Sequence, residues 1–163
     1  EIKSRIGAVS SELQTAYRKE ITVYDVVASG LFDSVGLYRK PGTAQKRQID
    51  KWIEILGISD IAGRIFNRLS FGERRLAVLA RSMVKSPEIL ILDEPCQGLD
   101  RVNRKLLMRL IEVIGSRTNT GLLYVTHYQD EIPACTDFVL NLHASETKGY
   151  SISRYSAADS RHS

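Results

Sequence analysis

Four apolar residues in a row, Ile89-Leu90-Ile91-Leu92, run straight into two carboxylates and a proline, Asp93-Glu94-Pro95. A run this short and without alternation reads as a strand buried on both faces of a parallel sheet. It thereby predicts an α/β fold, and it delivers two adjacent acids to the carboxyl end of a sheet, where ligands sit in such folds. Alternation sends the two side chains in different directions. One can serve Mg²⁺, directly or through water, and the other can orient or deprotonate an attacking water. Taken alone, an Asp-Glu pair is more often a strand end with solvated acids.

The period of the chain changes at this strand. Upstream, from about Ser11 to Lys85, the pattern is helical. Thr22 can cap a helix whose stripe is Val23, Val26, Val27 and Leu31. Gly30, Gly36, Pro41 and Gly42 carry turn chemistry, and Thr43 can cap a helix over Ala44 to Leu56 that Gly57 stops. Ile49, Trp52, Ile53 and Leu56 repeat at helical spacing, with Trp52 as a core anchor. A further helix spans Ser70 to Val84. Downstream, Asp100 caps a helix over Arg101 to Ser116, and Leu122 to Val125 is a second buried strand. A short helix over Gln129 to Ala134 leads to a strand over Asp137 to Leu142, and Tyr150 to Arg154 pairs with it in a hairpin near Gly149. Ile6 to Val9 reads as the end of a buried strand at the very start of the chain.

Composition narrows the function classes. A hydrophobic fraction of 43% suffices for a core, and the apolar stretches fall far short of the ~20 residues that span a bilayer. The two cysteines, Cys96 and Cys135, lack metal spacing and fit a reducing cytosol. The net charge of +4 is spread out, with no aromatic interleaving, so direct nucleic-acid binding is not expected.

Three other segments carry chemistry. Ser70-Phe71-Gly72-Glu73 has capping-box spacing, which by itself explains Ser70 and Glu73. The same helix start also offers free N–H groups and a positive dipole end to an anion, Gly72 allows close approach of a phosphate, and Arg74, Arg75 and Arg81 add positive field. His127 follows the second strand, where it is either structural or able to reach a γ-phosphate or its attacking water. Gly98-Leu99-Asp100 is a turn plus a helix cap.

In this order the four segments resemble the ATP-binding-cassette ATPases. Leu69–Glu73 is similar to the family's signature loop and Ile89–Pro95 to its Walker B strand. The resemblance implies that Asp93 is the magnesium-associated acid, Glu94 the catalytic glutamate, Asp100 part of the D-loop and His127 the switch histidine. It further implies that Ser70, Phe71, Gly72 and Glu73 meet the γ-phosphate of an ATP held by a second cassette. Ile6 to Ser11 resembles the strand entering the Q-loop, with Ser11 at the position of the glutamine and Gln14 three residues on. Phe71 in place of the signature's first glycine is a second departure, and both are similar to the second cassette of tandem molybdenum-transport or photorepair-type proteins.

The implied fold is a P-loop NTPase parallel sheet, truncated at its N-terminal side, with an inserted helical subdomain. Residues 1–11 would be the Q-loop strand remnant, 12–86 the helical subdomain, 87–155 the ATPase core and 156–163 a flexible tail. No Gly-x-x-x-x-Gly-Lys-Ser/Thr phosphate loop occurs in the 163 residues. The chain is therefore expected to be a fragment of a working ATPase, unable to bind Mg-ATP tightly alone, with an exposed edge at Leu122–Val125 that favours self-association. ATP and Mg²⁺ are the implied cofactors. The implied partners are a second cassette, in the same polypeptide or a homodimer, and, in a transporter, a membrane permease subunit that would hold the chain at the inner face of the cell membrane. A non-transport tandem protein in regulation or DNA repair, and a cassette with little turnover, are the alternatives.

Overall fold

The computed structural model describes residues 5–17, 20–145 and 149–156. Three parallel strands form the central sheet in the order β1 (Ile6–Val9), β2 (Ile89–Asp93), β3 (Gly121–Val125). Gly7 pairs with Leu90 and Leu90 with Leu122, so each parallel register fixes which side chains share a face. One face carries Val9, Leu90, Leu92, Leu122 and Tyr124 and is packed into the core. The opposite face is open among the described residues: Ile89 is 45%, Leu123 52% and Val125 45% exposed. The expected burial of β2 and β3 on both faces is thus met on one face only, because no described helix lies over the other. β3 is an edge of this sheet.

Between β1 and β2 the chain is helical. Helix α1 (Ser11–Ala16) is capped by Ser10, whose Oγ accepts the Leu13 N–H at 3.3 Å. Helix α2 (Val23–Ser29) has the expected Thr22 cap and buries Val23, Val26 and Val27. Helix α3 (Thr43–Ile55) begins one residue earlier than expected: Gly42 is its cap, and its N–H donates to Gln45 Oε1 at 2.9 Å. At its other end Gly57 sits at φ +65, and the Gly57 and Ile58 N–H groups donate to the Glu54 and Ile53 carbonyls, closing a Schellman turn. Gly30 opens a 3-10 turn over Gly30–Phe32 and also lies in a buried contact, where an added Cβ would come within 2.0 Å of the Arg81 carbonyl oxygen. Glycine there lets α2 approach α4 (Phe71–Met83), the helix with the most buried residues in this region.

Helix α5 (Arg101–Arg117) follows β2 and buries Leu107, Ile111 and Ile114. After β3 the expected short helix reduces to a 3-10 turn over Gln129–Glu131. Pro133 explains the early stop, since it forces the preceding Ile132 into an extended conformation. The last two strands, β4 (Phe138–Ser145) and β5 (Gly149–Ser156), form the expected antiparallel pair, as a separate two-stranded sheet. The hairpin's turn and the expected flexible tail beyond Ser156, which itself ends β5, lie outside the described residues, as does the Ser11 side chain.

Candidate functional site

β2 ends where its backbone changes hand. Asp93 still pairs with Val125, and the Glu94 N–H donates to the Val125 carbonyl at 3.0 Å, so both acids sit at the carboxyl end of β2, beside the end of β3. Glu94 then takes φ +43, a left-handed conformation that costs a non-glycine residue about 1–2 kcal/mol. Such strain gathers at functional sites, and here it turns the Glu94 side chain away from the strand. Its Oε1 lies 2.9 Å from His127 Nδ1, the residue that β3 delivers from the neighbouring strand end. Glu94 is half-buried and His127 exposed, so the pair faces solvent on one side. Asp93 is exposed, and its carboxylate has no hydrogen-bond or ion-pair partner among the described residues.

From Glu94 the chain descends through successive turns. Gln97 N–H donates to Glu94 O, Leu99 N–H to Cys96 O, and Gly98 supplies a φ of +76. Asp100 ends the descent as the α5 cap, its Oδ1 accepting the Val102 and Asn103 N–H groups, both at 2.9 Å. The bonds from Asn103, backbone and then side chain, hold the Asp100 carboxyl below the usual range.

A second cluster forms at the α4 N-terminus. Ser70 Oγ accepts the Glu73 N–H at 3.3 Å, and the Ser70 N–H donates to Glu73 Oε2 at 2.7 Å, which completes the capping box. The Ser70 backbone bond, ahead of the Ser70 hydroxyl and Arg64, holds the Glu73 carboxyl low. Gly72 is buried for a reason beyond phosphate access: an added Cβ would stand 2.7 Å from Asn103 Cγ. Phe71 is partly exposed, with its ring against Gly98 and the guanidinium of the buried Arg75 5.3 Å from the ring centre. Burial pulls Arg75 below its ordinary pKa. Gln14, next to the Ser11 position, is buried and donates from Nε2 to the Phe71 carbonyl at 3.3 Å.

The structure therefore brings Glu94 and His127 into direct contact. It places Ser70 to Glu73 against Gly98 and Asn103. Sequence reading missed Asn103, although its i+3 spacing from Asp100 was a capping signal. It also missed Glu131 and its partner Arg104, for which no local signal exists.

Residues 1–97 match the ABC transporter family. The ABC transporter ATP-binding protein ModF of Escherichia coli (strain K12) is 46% identical over 136 residues, covering 83% of this chain and 28% of that protein. The uncharacterized ABC transporter ATP-binding protein YlmA of Bacillus subtilis (strain 168) is 35% identical over 150 residues, covering 91% of this chain. The chain spans 28% of the first of these relatives and 57% of the second. Among solved structures, cbiO1 from Clostridium perfringens, part of the ABC transporter complex cbiONQ, superposes with a TM-score of 0.71 at 26% identity, over 85% of this chain and 53% of that one. With the parallel sheet and the paired strand-end acids in place, the family match over more than half of its length shows that the chain belongs to the ABC transporter family, within its ATPase domain.

Proposed function

We propose that these residues are the hydrolytic strand ends and the signature loop of an ATP-hydrolysing cassette associated with transport. The observation that carries this reading is the Glu94–His127 contact at 2.9 Å, made by two strand ends that a parallel sheet holds side by side. Glu94, oriented by its turn and by His127, receives the proton of the water that attacks the γ-phosphorus. His127 donates its other ring N–H toward the γ-phosphate and stabilises the charge that develops there. Asp93 fits a place beside Mg²⁺: it is an exposed, uncommitted carboxylate, and Mg²⁺ is held by one or two carboxylates together with waters and phosphates. Bound Mg²⁺ supplies neutralisation of phosphate charge at that point.

Ser70, Phe71, Gly72 and Glu73 act on a different ATP. Ser70 Oγ accepts from Glu73 N–H, which leaves its own proton free to donate to a γ-phosphate oxygen at the positive end of α4. That ATP is held by a second cassette, in the same polypeptide or in a second copy. The remaining cradle for the phosphates comes from outside residues 1–163, which hold no Gly-x-x-x-x-Gly-Lys-Ser/Thr loop. Segment α1 to α2, following β1, is the surface we assign to a membrane permease.

Phosphate release from saturating Mg-ATP tests this. The full-length natural protein is expected to hydrolyse ATP, and the 163-residue chain alone is not. A full-length protein that binds ATP and releases no phosphate overturns the hydrolytic reading.

A further inference from the structure

We propose that the Glu131–Arg104 ion pair, together with Thr126, is a positioning device for His127, which ties the turn carrying the histidine to the first turn of α5. The inference rests on the hydrolytic reading of Glu94 and His127 given above. Glu131 is 3% exposed, a rare depth for a carboxylate, and charged groups are buried only when paired. Its two oxygens have separate partners. Oε1 lies 3.2 Å from Arg104 Nη1, and Oε2 accepts the Thr126 hydroxyl at 3.3 Å. The same Thr126 oxygen accepts the Tyr128 N–H at 3.1 Å.

Thr126 and Tyr128 flank His127, so this one hydroxyl fixes both sides of the histidine. The turn is short, with Glu131 N–H donating to Tyr128 O at 3.2 Å and Ile132 N–H to Gln129 O at 3.3 Å. Arg104 belongs to another element. Its N–H donates to the Asp100 carbonyl at 2.9 Å, in the first turn of the helix that Asp100 caps. A continuous path therefore runs from Asp100 through Arg104, Glu131 and Thr126 to His127, whose Nδ1 meets Glu94. None of Arg104, Glu131 and Thr126 touches the Glu94 carboxylate by any described hydrogen bond, so their effect on the chemistry passes through the histidine. A misplacement near 1 Å can cost about 100-fold in rate, which is why a buried tie on an exposed histidine matters.

The experiment uses the full-length protein, with phosphate release and the imidazole resonances of ¹⁵N-labelled His127 as separate readouts. Arg104→Gln alone leaves a buried charge unpaired and can unfold the turn, so the informative variants are others. The apolar double variant Arg104→Met/Glu131→Leu and the single variant Thr126→Val remove the tie without stranding a charge. Thr126→Ser keeps the hydroxyl. The expected result is a kcat about 10- to 100-fold lower for the first two, with KM for ATP within about 2-fold, and recovery in Thr126→Ser. The His127 Nδ1 resonance is expected to shift in the two impaired variants and not in Thr126→Ser. Folded variants with unchanged kcat overturn the proposal, as does a fall in kcat with the His127 resonance unmoved. If the wild-type protein hydrolyses no ATP, the hydrolytic reading fails by itself. The resonance then decides alone, a shift supporting the positioning role and an unmoved signal overturning it.

Discussion

The two clusters at the top of the sheet are built in opposite ways. The α4 start is braced from every side: Ser70 and Glu73 satisfy one another, Gly72 is pressed against Asn103, Phe71 lies over Gly98, and Gln14 holds the Phe71 carbonyl. The Glu94–His127 pair is lightly held. Glu94 sits in a strained backbone conformation, and its side chain has one described partner, an exposed histidine on a short turn. Rigidity suits a surface that must fit a ligand presented from elsewhere. Strain and light support suit a pair that must change partners during a reaction, a proton acceptor above all. The difference predicts that substitutions at the α4 start lower stability together with activity, and those at the pair act almost wholly on rate.

His127→Ala should show the largest effect. Phosphate release by the full-length protein should fall about 100-fold or more, while the melting temperature changes by no more than a few degrees, since exposed pairs contribute at most about 1 kcal/mol. A large loss of stability would erase the contrast between the clusters. Gly72→Ala comes next, with a cost of about 1–3 kcal/mol in denaturant unfolding from the collision with Asn103. The double variant Gly72→Ala/Asn103→Ala sharpens the point: stability should return, and activity should return with it only if Gly72 serves packing and not phosphate approach. Ser70→Ala should cost about 1 kcal/mol as a lost helix cap.

The smallest effect is electrostatic. The Glu73 carboxyl is held below its unfolded value by the Ser70 N–H, the Ser70 hydroxyl and Arg64. Its contribution is therefore fully present above the ordinary carboxylate value of about 4.3 and is lost as pH falls through the lower folded value. Glu73→Gln should flatten that part of the stability–pH curve, lowering stability near neutral pH and leaving it unchanged at the acid end. An unaltered acid limb would show that the capping box carries no charge-linked stability.

Much of the braced cluster was legible in the sequence, because its signals are local. Ser70 with Glu73, Thr22 with its helix, and Asp100 before α5 are caps written in adjacent residues. The α3 start was displaced by one residue since the Gln45 carboxamide, three residues on, satisfies the Gly42 N–H. Long-range contacts were not legible. Gly30 is a turn residue as its type suggests, but nothing local announces the Arg81 carbonyl packed against it, and Glu131 looks like a surface acid until Arg104 arrives from α5. The apolar run Ile89–Leu92 announced a parallel strand correctly, yet burial of Ile89 depends on what covers the second face. For the site, the order of motifs gave the strand-end placement of Asp93, Glu94 and His127. The left-handed turn at Glu94 that brings it to His127 has no signature in residue type.

The proposed role of Glu94, activation of the attacking water, stands or falls on one substitution. Glu94→Gln keeps the size and the turn of the side chain and removes its basicity. The full-length protein carrying it should bind ATP as the wild type does and release phosphate about 100-fold more slowly or less. An ATPase rate equal to that of the wild type would contradict the account.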